Sequence, residues 1–244
     1  MTPVAVYFLP AELPRDLGGA AALVIDVLRA TTTVVAALEA GARGVVPIES
    51  LEDTLAAAAS GRHGPSLTAG ERGGVAIAGL DHGNSPLEFT RDRCEGKAIL
   101  LTTTNGSGAI RAAERAGAAS VRAGSLWNAS AAAEALLGSG ARSIAILCAG
   151  TRGEFTFEDA LAAGAVVLSL ARRGRVALED SARAAVALRE RVGAGVEEAL
   201  RASRGGRNLA AIGGEADIVA CAALDRSRTV PILDPSGMLV PSAR

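Results

Sequence analysis

The chain has 244 residues, which is enough for one large α/β domain with a substantial core. Its 25 basic side chains nearly balance its 26 acidic ones, so it lacks the cationic surface that a nucleic-acid partner requires. Hydrophobic residues make up 49% of the chain and aromatic residues only 2%, so we expect a core of Ala, Val, Leu and Ile.

Cysteine usage and hydropathy indicate the compartment. The three cysteines, Cys94, Cys148 and Cys221, are widely spaced and fit neither a disulfide framework nor a zinc site. No apolar run reaches the roughly 20 residues that span a bilayer, and the first residues show no signal pattern. We therefore expect a cytoplasmic protein with no membrane contact.

Short β-branched segments alternate with Ala-rich helical segments over the first 150 residues. Strands are predicted at 4–8, 22–27, 45–48, 66–69, 98–103, 120–123 and 143–148, and helices at 32–40, 51–60, 107–116 and 129–137. This alternation predicts a three-layer α/β/α fold with a mostly parallel sheet. Gly41 and Gly117 are expected to end two of the helices in the left-handed conformation.

The pattern becomes mainly helical after residue 151. Helices are predicted at 157–173, 181–191, 196–203 and 215–224, and short strands near 230–233 and 238–240. Since no linker or internal repeat divides the chain, we expect a single domain, 1–244, with a helical C-terminal part. The Ala-rich helices would be adequate surfaces for a homodimer.

The most informative segment follows the second predicted strand. In an open α/β sheet, ligands bind outside the carboxyl ends of the strands. Asp26, Arg29 and Thr31 come at this point, and the hydroxyl groups would lie at a helix start, where an anion is favoured. A carboxylate for a cation beside donors for an anion suits phosphoryl chemistry. The alternative is a buried strand followed by a Thr-capped helix, and this segment taken alone favours the alternative.

Hydroxyl and amide groups also follow two later strands. Residues 102–105, Thr-Thr-Thr-Asn, precede a predicted helix whose free N–H groups would complete a phosphate cradle. No Gly-Lys-Ser/Thr follows, so the segment is not a P-loop. Without a ligand, the same residues would form an Asn-Gly turn with Ser107 as the N-cap. Ser125 occupies a similar position after the sixth strand.

Charged residues follow the fourth predicted strand. Glu71 and Arg72 lie between glycines, and either form a solvated loop or bind a cation and an acidic substrate group. Asp81 is either a metal ligand, a water-orienting base or the first residue of an Asx turn.

Further charged residues come late in the chain. Glu158 and Asp159 would serve one metal ion, and two close carboxylates raise one pKa. The alternative is a capping box between Thr156 and Asp159. Arg204 and Arg207 lie in a glycine-rich segment, 203–208, which is predicted to form a turn. This turn either binds an anion or only ends a helix.

Taken in chain order, these segments resemble the 2-phosphosulfolactate phosphatase, or ComB-like, family. The matching stretches are 24–33 (VIDVLRATTT), 70–74 (GERGG), 83–88 (GNSPLE), 101–106 (LTTTNG), 124–125 with 128–129, 148–151 (CAGT), 157–159 (FED) and 203–209 (SRGGRNL). The resemblance extends over nearly the whole chain.

The resemblance implies a Mg²⁺-dependent acid phosphatase of α/β fold. Its substrate is 2-phospho-3-sulfolactate, which is hydrolysed to 3-sulfolactate and phosphate in coenzyme M biosynthesis. Because many members occur outside organisms that make coenzyme M, the substrate is expected more broadly to be a small phosphorylated sulfonate or carboxylate.

Residue roles follow from the resemblance together with the clustering at strand ends. The expected catalytic acids are Asp26, Glu71, Asp81, Glu158 and Asp159, of which Asp26, Glu71 and Asp159 are expected to hold Mg²⁺, partly through water. The expected substrate-binding residues are Arg29, Thr31, Arg72, Thr102, Thr103, Thr104, Asn105, Ser125, Arg204 and Arg207. One carboxylate would orient a water molecule for in-line attack.

Two alternatives remain open at this point. Asp26 would be a nucleophile that forms an aspartyl-phosphate, as in haloacid-dehalogenase-type phosphatases, although those enzymes have a second aspartate where Leu28 stands. In the second alternative, the chain is a non-catalytic anion- or nucleotide-binding protein, because a fold does not determine a function.

Overall fold

The computed structural model describes residues 1–242. The strands are β1 (Thr2–Tyr7), β2 (Ala21–Ile25), β3 (Gly44–Ile48), β4 (Ser66–Arg72), β5 (Val75–Ala76), β6 (Ala98–Thr102), β7 (Ser120–Gly124), β8 (Ile144–Cys148), β9 (Val176–Leu178), β10 (Pro231–Leu233) and β11 (Leu239–Pro241). The α-helices are α1 (Ala30–Glu39), α2 (Leu51–Ser60), α3 (Arg91–Cys94), α4 (Gly106–Arg115), α5 (Ala129–Leu137), α6 (Phe157–Arg173), α7 (Asp180–Val192), α8 (Val196–Ala202), α9 (Arg204–Ala210) and α10 (Glu215–Cys221). Short 3₁₀ turns lie at Pro10–Glu12, Pro86–Glu88 and Leu126–Asn128.

All eleven strands form one mixed sheet in the order β5-β4-β6-β3-β11-β10-β7-β2-β8-β1-β9. Two parallel blocks, β4-β6-β3 and β7-β2-β8-β1-β9, are joined by the antiparallel hairpin of β10 and β11. Helices cover both faces, which confirms the predicted α/β/α architecture with a mostly parallel sheet. None of the helices within residues 1–242 is long and apolar enough to cross a bilayer.

Strand β2 shows how the sheet is covered. Leu23 and Ile25 face the apolar cluster formed with α5 and α6, whereas Val24 faces the cluster formed with α1 and α4. Side chains alternate between the faces of a strand, so a strand buried on both faces reads as a continuous apolar run. The second parallel block contributes Ile99 and Leu101 to the same cluster around α1 and α4. The two blocks therefore share these helices, and the ends of β2, β4, β6 and β8 meet at one cavity.

Most elements lie where the sequence predicts them. The helices predicted at 51–60, 129–137 and 157–173 coincide with α2, α5 and α6. Gly41 and Gly117 have φ values of 87° and 71°, which confirms the left-handed helix ends.

The predicted turn at 203–208 is wrong, because residues 204–210 form α9. The Ser203 hydroxyl caps this helix by accepting a hydrogen bond from the Gly206 N–H, and α9 packs on α8 and α10. Two adjacent glycines lowered the local helix propensity, and tertiary packing overrides it. The short strand β9 at the sheet edge was not predicted either.

Candidate active site

A cavity of about 530 Å³ lies at the carboxyl ends of β2, β4, β6 and β8. Four acidic residues line it: Asp26, Glu71, Glu158 and Asp159. All four are at most 8% exposed. The sequence prediction that these acids converge at one edge is met by the structure, and their separate roles stay predictions.

Asp26 lies directly after β2, beside the first turns of α1 and α4. A Cβ atom on Gly106 would lie 2.7 Å from Asp26 Oδ2, so glycine allows the start of α4 to approach this carboxylate closely. Within residues 1–242, the only hydrogen bond to the Asp26 carboxylate is a long one, 3.3 Å from the Ala30 N–H to Oδ1. Burial, then the Glu71 and Glu158 charges, raise the pKa of Asp26 to about 7, against the opposing effects of the Ala30 N–H and Arg29.

Glu71, at the end of β4, joins two loops. Its Oε2 accepts hydrogen bonds from the Gly74 N–H at 2.7 Å and the Thr104 hydroxyl at 3.0 Å. Its Oε1 accepts one from the Thr104 N–H at 2.6 Å. Both oxygens therefore already have donors from the chain itself, and Glu71 holds the loop after β4 against the loop after β6.

Asp159 is held in a similar way. Its Oδ1 accepts from the Val27 N–H at 2.9 Å, and its Oδ2 from the Gly150 N–H at 3.1 Å and the Thr156 hydroxyl at 2.9 Å. The capping box predicted between Thr156 and Asp159 is therefore wrong, because the Thr156 side chain caps no backbone N–H and donates to the carboxylate instead. Burial, followed by the Asp26 and Glu158 charges, raises the pKa of Asp159 well above its usual range.

Glu158 has an unpaired carboxylate oxygen. Its Oε1 accepts a hydrogen bond of 3.0 Å from the Gly205 N–H at the start of α9, where a Cβ atom would collide with the carboxylate. Its Oε2 is buried and has no hydrogen-bond partner among the described residues. A buried charged oxygen without a partner costs free energy, so this atom is suited to a cation.

The four acidic residues of the cavity provide part of a ligand set that Mg²⁺ accepts. Within residues 1–242, no three His, Cys, Asp or Glu side chains form a ready-made metal cluster. Mg²⁺ commonly keeps several waters and takes only one or two carboxylates together with substrate phosphate oxygens. Asp26 and the free oxygen of Glu158 are the available ligands, whereas Glu71 and Asp159 are occupied by N–H and O–H donors.

Three of the described arginines line the cavity, and two of them are paired. Arg29 contacts Asp217 of α10 at 2.5 Å and donates to the Gly74 carbonyl at 2.6 Å. Arg204 pairs with Glu154. The third is Arg152, whose side chain forms no ion pair or hydrogen bond within the described part of the chain, and whose backbone N–H donates to the Asn105 side chain at 3.0 Å.

The structure places other predicted site residues outside the cavity lining. They are Thr31, Arg72, Asp81, Thr102, Thr103, Ser125 and Arg207. Thr31 bonds to the Asp26 backbone, Arg72 donates to Thr102 and to the Glu71 carbonyl, and Asp81 accepts from the Thr68 backbone and hydroxyl. Ser125 caps the short turn that follows β7, and Arg207 donates to the Ala202 carbonyl.

The start of helix α4 differs from the Asn-Gly turn with Ser107 as the N-cap that is predicted in the absence of a ligand. Its N-cap is Asn105, and Ser107 lies inside the helix, so the predicted N-cap is wrong. The Ser107 hydroxyl donates to the Leu101 carbonyl, and its backbone N–H donates to Thr103. Of the residues 102–105, Thr104 and Asn105 face the cavity.

Sequence reasoning missed Arg152 and Asp217. The available signal for Arg152 is the pair of glycines on both sides of Thr151-Arg152, which mark a turn where a side chain can reach a site. Asp217 gives no sequence signal, because it lies with Glu215 in the first turn of a predicted helix, where acidic residues are common.

Comparison with known proteins gives a consistent picture. The family model described as 2-phosphosulpholactate phosphatase matches residues 7–236. A probable 2-phosphosulfolactate phosphatase of Synechococcus sp. (strain CC9605) is 39% identical over 240 residues, 97% of this chain and 98% of the relative. Proteins of the same name from Thermotoga petrophila and Deinococcus radiodurans are each 42% identical, and in each pair 87–88% of both chains is covered.

Proposed function

The chain belongs to the 2-phosphosulfolactate phosphatase family, and from that premise we propose that it is a Mg²⁺-dependent phosphatase. Its proposed substrate is 2-phosphosulfolactate or a similar small phosphorylated acid, which it hydrolyses to the 2-hydroxy acid and phosphate. The observation that carries the proposal is the set of four buried carboxylates in one cavity beside the Arg152 guanidinium, which has no partner among the described residues.

The charge of the cavity requires a cation for this substrate. The substrate carries phosphate, carboxylate and sulfonate groups, and it would enter a space lined by Asp26, Glu71, Glu158 and Asp159. Bound Mg²⁺ would neutralise the phosphoryl oxygens and polarise the scissile ester. Asp26 and Glu158 are its proposed protein ligands, since they have oxygens that the chain leaves free.

The residues of the chain have separate proposed tasks. The N–H groups at the start of α4, beside Asn105, would receive phosphoryl oxygens, because a helix N-terminus favours an anion. Glu71 positions this loop by holding the Thr104 N–H and hydroxyl. Arg152 would take the sulfonate or carboxylate of the substrate.

Hydrolysis breaks the bond between phosphorus and the ester oxygen, and a water oxygen takes its place on phosphorus. The departing oxygen becomes the hydroxyl group of the 2-hydroxy acid. Asp159 is the proposed acceptor of the proton of the water, because burial and two neighbouring carboxylates raise its pKa well above the usual range and so make it a stronger base.

Phosphate release from 2-phosphosulfolactate tests the proposal. We expect turnover with Mg²⁺, loss of turnover in EDTA, and recovery when Mg²⁺ is added in excess. A panel of phosphorylated three-carbon acids measures how far the sulfonate group determines the substrate. Absence of turnover on the whole panel with Mg²⁺ would favour a non-catalytic anion-binding protein, and a trapped phosphoryl group on Asp26 would favour the aspartyl-phosphate route.

A further inference from the structure

A second cavity lies at the opposite end of the central strands. Its volume is about 430 Å³, and its lining includes Gly19, Ser120, Arg122, Ser139 and Arg142, at the amino ends of β2, β7 and β8. The five-residue strand β2 separates this end from Asp26, a span of about 17 Å at 3.3 Å per residue. Among residues 1–242, none of those that line this cavity is acidic, so its electrostatic character is opposite to that of the first.

Arg122 is the central feature of this cavity. It is only 8% exposed, and its guanidinium reaches back along β7 to the Ser120 hydroxyl. Its Nε atom is buried and has no hydrogen-bond partner in the described part of the chain. It forms no ion pair with any residue from 1 to 242, and burial lowers its pKa. Buried arginines are ordinarily paired with an anion, and the described residues provide none for Arg122.

A second guanidinium lies on the loop between α5 and β8. Arg142 is exposed and makes no ion pair within the described residues. It follows Gly140, whose φ of 69° turns this loop beside the cavity. Two guanidinium groups together with a serine hydroxyl match the donors that bind tetrahedral oxyanions.

We propose that this second cavity binds a small doubly charged oxyanion of the phosphate class, held between Arg122 and Arg142. The absence of carboxylates distinguishes it from the first cavity, where an anion needs a cation as a bridge. The site is therefore expected to bind phosphate without any divalent metal ion.

Calorimetric titration of inorganic phosphate into the full chain in EDTA tests the proposal. One phosphate per chain is expected for the wild type. Arg142→Ala removes a charge-assisted contact from an exposed side chain, so the fold is preserved and the affinity is expected to fall at least about tenfold. The matched control is Arg191→Ala, which removes another exposed arginine, on α7, and is expected to leave the affinity unchanged.

Arg122→Met keeps the apolar stem of the buried side chain and removes its charge. We expect phosphate to raise the Tm of the wild type but not that of Arg122→Met. If Arg122 has only a structural role, the variant will lose Tm and keep its phosphate response, which overturns the proposal. Asp26→Asn distinguishes the two cavities: phosphate binding that responds to Asp26→Asn but not to Arg142→Ala belongs to the first cavity and also overturns it. Failure of the wild type to bind phosphate would do the same.

Discussion

The Arg29 guanidinium and the Asp217 carboxylate lie 2.5 Å apart, although 188 positions separate them along the chain. Both side chains are at least nine-tenths buried, and the Ser85 hydroxyl donates to the second carboxylate oxygen of Asp217 at 2.5 Å. The contact ties α10 to the loop after β2 that carries Asp26. The C-terminal helices are thus part of the support of the first cavity.

Asp217→Ala is expected to destabilise the fold by about 3 kcal/mol, because it leaves the Arg29 charge buried without its partner. Urea unfolding measures the change. The control is Glu95→Gln, which breaks the exposed pair with Arg91 and is expected to leave the free energy of unfolding nearly unchanged. Equal changes in the free energy of unfolding for the two substitutions would show that the buried pair stabilises the fold no more than an exposed pair.

Asp26→Asn is expected to change stability in a pH-dependent way. Burial and the neighbouring Glu71 charge raise the pKa of Asp26 to about 7, so between pH 3.8 and 7 the native state holds a proton that the unfolded chain releases. The free energy of unfolding of the wild type therefore falls as the pH rises through this window. The stabilisation that the bound proton provides is fully present below pH 3.8.

Asparagine does not titrate, so the stability of Asp26→Asn relative to the wild type should rise between about pH 5 and pH 8. We expect a rise on the order of 3 kcal/mol in urea unfolding with EDTA present. A difference between the two proteins that stays constant with pH would contradict the raised pKa.

Glu158→Gln is expected to weaken Mg²⁺ binding while the fold is maintained. The amide oxygen can still accept from the Gly205 N–H, but the free anionic oxygen is lost. We expect the Mg²⁺ concentration for half-maximal turnover to rise at least about tenfold. The matched control is Glu52→Gln on the exposed side of α2. If both variants need the same Mg²⁺ concentration, Glu158 is not a ligand.

Arg152→Asn is expected to affect substrate binding more than turnover. Arg152 has a φ of 54°, and asparagine tolerates this left-handed conformation, so the substitution tests the charge and not the backbone. The KM for 2-phosphosulfolactate should rise at least about tenfold with a smaller change in kcat. For a substrate without the sulfonate, the substitution should raise the KM less. An equal rise in KM for both substrates would mean that Arg152 does not bind the sulfonate.

The sequence predicted most of the sheet, because strands buried on both faces leave unbroken apolar runs such as residues 21–25. It also predicted that Asp26, Glu71, Glu158 and Asp159 converge, since each lies at or follows the carboxyl end of a strand, but it grouped Asp81 with them, and Asp81 lies outside the cavity lining. These acids differ in how their oxygens are occupied, and that difference depends on tertiary contacts.

Other features had no local signal. Glu71 and Asp159 accept hydrogen bonds from loops far along the chain, such as the Thr104 and Val27 N–H groups, whereas Glu158 keeps one oxygen free. The partner of Arg29 lies on a helix whose sequence carries no motif. Thr103 was expected at the cavity, but its hydroxyl accepts from the Ser107 N–H in the first turn of α4, inside the protein.

The most direct test compares phosphate release from 2-phosphosulfolactate by the wild type and by Asp26→Asn, both at saturating Mg²⁺. Because the Asp26 carboxylate is proposed to hold the metal ion, kcat/KM of the variant should fall at least about a hundredfold while its circular dichroism spectrum stays native. Turnover of Asp26→Asn at the wild-type rate would contradict the role of the acidic cavity as a Mg²⁺-dependent phosphatase site.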